Sequence, residues 1–342
     1  PEQESPRRRP VFVWIHGGGW FQGDKVNGIV NKAQTLVDAG YIFVSVNYRV
    51  SPDLHGKFAL TRNRLRFPTH HKDAASALGW VNRRIDRYGG NANRMLIGGD
   101  SAGGQIASLL ATRPAFLKRH GMSTRQIKGV FSLDSVGFNV PRMMTPAYRR
   151  ISAGFQRMMF NAFGTPAEEK RKPHWAAASP LRFADRSDPP IFHVVPTTSP
   201  DRWVDAKKMA RRLGQRIGLV SHRVHTNHPG VVPLLGNPEG DMGVTAPLMR
   251  FASEAIYPVR RKAVVRGSRV ASAGRAMTGV IRLKVRSRPA ARLVTCTLDR
   301  GRERLCAKRW RLKVGKHHLR VRIYGSTGRA VTSRAYNLRV TR

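Results

Sequence analysis

Two glycine-rich stretches hold the residues best suited to chemistry: His16-Gly17-Gly18-Gly19-Trp20 and Gly99-Asp100-Ser101-Ala102-Gly103-Gly104. Each directly follows a short apolar run. A serine hydroxyl is a weak nucleophile until a base takes its proton, and the oxyanion formed when it attacks an acyl carbon needs N–H donors already in place. Glycine lets a loop turn sharply and bring its backbone close to a reacting oxygen. Either stretch alone reads as a structural glycine turn; both at the ends of apolar runs predict Ser101 as a nucleophile beside a backbone anion site.

Elements of a defined kind must hold these loops. Met95–Ile97 reads as a buried strand and Ala102–Thr112 as the helix after it, which places Ser101 on a strained strand-to-helix turn; Val11–Ile15 is the strand before the other loop. Four further runs, Ile42–Val46, Val130–Leu133, Ile191–Val195 and Leu219–Val224, alternate with helical patterns over Asn27–Ala39, His70–Tyr88, Trp203–Ile217 and Val244–Ile256. Such alternation predicts a doubly wound α/β fold with a mainly parallel sheet and helices on both faces.

On this scaffold the partner acid and histidine follow the serine in the chain. The loop after Ile191–Val195 offers Asp201, whose other reading is a helix N-cap, with Asp205 as the fallback. After Leu219–Val224 three histidines compete: His228, in the loop Asn227-His228-Pro229-Gly230, is preferred over His225 and His222. His16 precedes Ser101 and is expected to hold its loop by a hydrogen bond. His70 and His71 open a helix and are expected to face solvent.

A long insert, about 135–186, interrupts the alternation with Met143, Met144, Phe155, Met158, Met159, Phe160 and Phe163, which suit either ordinary packing or an apolar roof over the site. Beyond residue 257 the pattern changes to short alternating strands: Val264–Val270, Met277–Val285, Leu293–Leu298, Arg309–Val314, His318–Ile323 and Tyr336–Val340. A catalytic domain over 1–257, a linker over 258–274 and a basic β-sandwich over 275–342 are therefore expected.

The net charge of +42 is uneven: residues 259–342 carry 25 Lys/Arg against the two acids Asp299 and Glu303. Such a field suits either an arginine-biased composition that keeps the surface soluble or attraction of polyanions such as nucleic acid, anionic lipid or acidic cell-envelope polymers, with an affinity that falls as salt rises. Trp310, Tyr324 and Tyr336 are too few aromatics for specific nucleic-acid recognition. Cys296 and Cys306, ten residues apart with no further ligand beside them, suggest one disulfide and hence a secreted or cell-envelope protein. No apolar run is long enough for a transmembrane segment.

The chain resembles the hormone-sensitive-lipase-like branch of the α/β-hydrolases, and within it bacterial carboxylesterases related to acetyl and feruloyl esterases. The matching residues are His16 to Trp20, Asn47-Tyr48-Arg49, Phe67-Pro68, Asp73, Tyr88-Gly89-Gly90-Asn91, Gly98 to Gly104, Asp201-Arg202-Trp203-Val204 and His228, so the likeness covers roughly residues 10–257. It implies Ser101 as nucleophile, Asp201 as acid, His228 as base and the N–H groups of Gly18, Gly19 and Ala102 as oxyanion donors. It also implies that the family's first, antiparallel strands lie before Pro1. The chain departs from the family in carrying Val195-Pro196 where a His-Gly turn is usual and Asn227 where a glycine is usual.

The tail resembles, through Cys296 to Asp299, Cys306 and His318 to Arg322, the immunoglobulin-like modules of bacterial surface proteins. The expectation is a cofactor-free serine carboxylesterase acting on short acyl or aryl esters through an acyl-enzyme. Its rivals are an amidase or arylformamidase with the same triad, and a polyanion- or surface-binding protein with secondary or lost hydrolysis.

Overall fold

The computed structural model describes residues 8–258, 264–270, 278–286, 293–306, 309–313 and 315–340. The chain divides into two compact units, Pro1–Ile256 and Tyr257–Arg342.

In the first unit six strands, β1 (Arg9–Ile15), β2 (Ile42–Val46), β3 (Gly90–Asp100), β4 (Ile127–Leu133), β5 (Ile191–Pro196) and β6 (Ser221–Val224), form one parallel sheet in the order β2-β1-β3-β4-β5-β6. Strand β1 shows why its residues build it. Val11, Val13 and Ile15 enter the core on one face, and Phe12 and Trp14 enter the core on the other, so no position is left for water. Helices α1 (Val30–Asp38), α2 (Thr69–Arg84) and α3 (Ser101–Thr112) supply the cover. Leu78 of α2 and Ile106 and Leu110 of α3 belong to the same apolar cluster as Val13, whereas Leu36 of α1 belongs to the cluster of Phe12 and of Phe251 from the helix Thr245–Ile256. Helices therefore lie on both faces, as a doubly wound α/β sheet requires.

Boundaries differ from the sequence expectations where turn chemistry decides them. The helix after β5 begins at Pro200 rather than Trp203, with proline at its first position, so Asp201 lies inside its first turn. Between β4 and β5 the insert folds into short helices, the longest Ala153–Phe163, with Met143, Met159 and Phe163 buried.

The second unit has two antiparallel sheets. Strands β9 (Leu293–Leu298), β10 (Arg304–Leu305), β12 (Gly315–Tyr324) and β13 (Ala330–Val340) pair in the order β10-β9-β12-β13. Strands β7 (Val264–Val270), β8 (Thr278–Arg286) and β11 (Arg309–Lys313) pair in the order β11-β8-β7. Leu312 of the second sheet joins Cys296, Leu319 and Val321 of the first in a common apolar cluster, and Cys296 is disulfide-bonded to Cys306. Of the expected linker, 264–270 is strand β7 and the remainder past residue 258 lies outside the described residues. Among the described residues no helix is long and apolar enough to cross a membrane.

Candidate active site

Parallel strands deliver their following loops to one edge of the sheet. The order β1-β3-β4-β5-β6 brings together the glycine loop after β1, Ser101 after β3, Asp134 after β4, Asp201 after β5 and His228 after β6.

Ser101 is the first residue of α3 and sits at φ +49, a left-handed backbone that a residue with a Cβ adopts only when its surroundings impose it. The imposing contacts come from the neighbouring glycines. A Cβ on Gly103 would lie 2.0 Å from the Ile15 carbonyl oxygen and 2.5 Å from that of His16, and one on Gly104 would lie 1.8 Å from Ser135 Oγ. The turn is thus wedged directly against the end of β1. Gly103→Ala is expected to cost about 3 kcal/mol or more of stability, because its obstacle is rigid backbone. Urea denaturation would check this, and a variant as stable as the parent would contradict it.

The loop after β1 holds the residues expected to form an anion site. Gly18 and Gly19 have φ of +92 and +61, and the Gly18 carbonyl accepts from the N–H groups of Phe21 and Gln22. Among the described residues the N–H groups of Gly18 and Gly19 donate no backbone hydrogen bond, and that of Ala102 belongs to the first turn of α3, where a helix has no partner of its own. His16 has the structural role expected of it. Its ring lies 2.9 Å from the Gly17 carbonyl through Nδ1 and stacks on Tyr48 at 4.3 Å, and Tyr48 donates to the carbonyls of Gly17 and His16.

One turn along α3, Gln105 ties the loops together. Its Oε1 accepts from Trp20 Nε1 (3.3 Å) and His71 Nε2 (3.0 Å), and its Nε2 donates to the Ala178 carbonyl of the insert (2.8 Å). His71 is therefore not at the surface. Both it and His70, whose Nε2 lies 3.0 Å from Ser51 Oγ, are fully buried, and burial pushes both imidazoles down to about 3. The expectation that they face solvent fails because the first turn of α2 packs inward and finds polar partners distant in sequence.

His228 and Asp201, the expected base and acid, do not meet each other. His228, expected in a loop, is the first residue of the short helix His228–Val231, whose N-cap Asn227 accepts from the Gly230 N–H, and its Nδ1 is 2.6 Å from a carboxylate oxygen. That oxygen belongs to Asp134, not to Asp201. The Asp201 carboxylate instead accepts from Tyr148 Oη of the insert (3.0 Å), while Arg142 binds the fallback Asp205 at 3.0 Å. Arg202 donates to the same Asp134 oxygen and brings its Nη1 to 2.9 Å from His228 Nδ1. Burial pushes the carboxyl of Asp100, the residue before Ser101, up, against the opposing pull of Lys32 and, more weakly, of His228 and His16. The other histidines are engaged elsewhere: His222 Nε2 meets the Met242 carbonyl at 2.8 Å, and His225 Nδ1 lies 3.4 Å from Thr197 Oγ1. Asp134 escaped the sequence reading, although an acid directly after a core strand was visible in Ser132-Leu133-Asp134.

The insert reaches the glycine loop. A Cβ on Gly19 would lie 2.4 Å from the Met158 sulfur, and the Phe163 ring meets Trp20 edge-on at 4.8 Å.

The BD-FAE family model matches residues 1–210. Esterase LipQ of Mycobacterium tuberculosis is 33% identical over 201 residues, covering 56% of this chain and 42% of its own. Liver carboxylesterase of Sus scrofa is 36% identical over 109 residues, 31% of this chain and 18% of its own. The chain thus spans less than half the length of these curated relatives. A hyperthermophilic esterase from the archaeon Pyrobaculum calidifontis superposes with a TM-score of 0.53 at 21% identity, covering 74% of this chain and 76% of that one. The carboxylesterase EstE1, cloned from a metagenomic library, gives 0.51 at 23% identity over 74% and 81%. At these identities the likeness is one of fold. With the family model matched over more than half of its residues, the chain belongs to the BD-FAE family of α/β-hydrolases.

Proposed function

We propose that this protein is a serine carboxylesterase that cleaves short acyl or aryl esters through an acyl-enzyme. The observation that carries the reading is the convergence at one sheet edge of Ser101 on its φ +49 turn, the glycine loop of Gly18 and Gly19, and His228 with Nδ1 held by a carboxylate at 2.6 Å. An imidazole held at Nδ1 keeps its Nε2 lone pair free to accept a proton.

In this reading Ser101 Oγ attacks the ester carbon as His228 Nε2 takes its proton, and the N–H groups of Gly18, Gly19 and Ala102 stabilise the oxyanion. The proton passes to the leaving alkoxide, the alcohol departs, and water hydrolyses the acyl-Ser101 ester by the same route. Met158, Trp20 and Phe163 favour an apolar acyl group of limited size. The disulfide Cys296–Cys306 and the basic second unit fit an oxidising, anionic setting such as the cell envelope.

Chromogenic acetate and butyrate esters are expected to be turned over with an initial burst stoichiometric with enzyme, if deacylation is the slower step. A formyl anilide tested alongside separates the two acyl-transfer readings. Failure to hydrolyse any short ester, or faster cleavage of the anilide, would overturn the proposal.

A further inference from the structure

We infer that Asp134 is the carboxylate that orients His228, that Arg202 fixes it there, and that Asp201, in the position the family motif reserves for the acid, does not serve that role. This rests on Ser101 and His228 acting as proposed above.

Topology and geometry agree. Asp134 is the first residue after β4, the strand beside β3, and its N–H donates to the Val194 carbonyl of β5 at 2.7 Å, which seats it between the two strands. Its φ is +44, and its side chain is almost completely buried. A non-glycine residue in that backbone region is held there at a cost of about 1–3 kcal/mol, which marks the position as imposed by its surroundings.

The contrast with another buried carboxylate is informative. Glu168 has both oxygens paired, with Arg64, Arg66 and the Thr165 N–H, as a structural anion should. Asp134 concentrates its partners on Oδ2, where His228 and Arg202 meet, and its buried Oδ1 has no partner among the described residues. A carboxylate oxygen accepts and does not donate, so at 2.6 Å the Nδ1 of His228 is the donor to Asp134 and Nε2 is left as the acceptor. Arg202 pairs the buried carboxylate with a positive charge.

Asp201 and Arg202 are consecutive residues on the first turn of one helix. Arg202 reaches Asp134, and the Asp201 carboxylate binds Tyr148 in the insert. Asp134 and Arg202 are positioning residues: they act through His228 and do not touch the ester.

Asp134→Asn keeps the shape of the side chain but removes the anion. It is expected to lower kcat by about 10³–10⁴-fold with little change in KM, as loss of the orienting carboxylate does in serine hydrolases. Asp201→Asn should keep kcat within a few-fold. A second readout does not depend on ester turnover. In protein labelled with ¹⁵N-histidine, the Nδ1–H of His228 should give a far-downfield proton resonance that survives Asp201→Asn and disappears in Asp134→Asn. If Asp134→Asn does not fold, kcat and the resonance of Asp201→Asn alone decide. Loss of both in Asp201→Asn, or their retention in a folded Asp134→Asn, would overturn the inference. An unmutated protein with the resonance but no ester turnover would instead fault the functional proposal.

Discussion

Ser101→Ala is expected to lower kcat for a butyrate ester by at least about 10⁴-fold, with no loss of folding stability. The hydroxyl is the only atom removed, and the donors of Gly18, Gly19 and Ala102 remain. What activity is left should be that of an anion site acting on a water attack. Stability is unchanged because alanine carries the same strain at φ +49 as serine. Ser101→Gly sharpens the point. It should be equally inactive yet no less stable, since relief of left-handed strain, about 1 kcal/mol or more, offsets the backbone entropy that glycine adds to the unfolded chain, about 0.5–1 kcal/mol. Steady-state kinetics and thermal melting of both variants check this; turnover near the parent rate in either one would contradict the nucleophile assignment.

The second large effect is acid destabilisation. Burial lowers His70, His71 and His193 to about 3, while the unfolded chain protonates them near the ordinary value of 6.5. Groups whose charged form is disfavoured by folding stabilise the native state fully above 6.5, and that stability drains away as pH falls toward the native values. At pH 5.5 the loss is about 1.4 kcal/mol for each histidine, or about 4 kcal/mol for the three. Urea denaturation at pH 7.5 and 5.5 measures it. His193→Met should remove about a third of the difference, and a stability flat between those pH values would contradict the account.

The strands of the sheet were legible because a two-sided core makes nearly every residue of Val11–Ile15 apolar, and Ser101 because its glycines are required by backbone contacts. The antiparallel unit was legible for the converse reason: alternation marks a strand with one face covered, and Val264–Val270 and Leu293–Leu298 fall at the expected residues. The carboxylate that meets His228 was not legible. Chain order and family pattern both point to Asp201, but contact with His228 depends on which strand ends are neighbours and which way a helical first turn faces. Pro200 starts that helix three residues early and turns Asp201 toward Tyr148. His70 and His71 misled for a related reason: imidazoles near a helix start read as exposed unless Ser51 and Gln105, far away in sequence, are known to meet them.

The most direct test is to treat the full chain with a fluorophosphonate, digest it and locate the adduct by mass spectrometry. One adduct per chain on Ser101, absent in Ser101→Ala and accompanied by loss of ester turnover, is the expected result. An adduct on another residue, or undiminished ester hydrolysis with Ser101 unmodified, would contradict the assignment of Ser101 as the nucleophile.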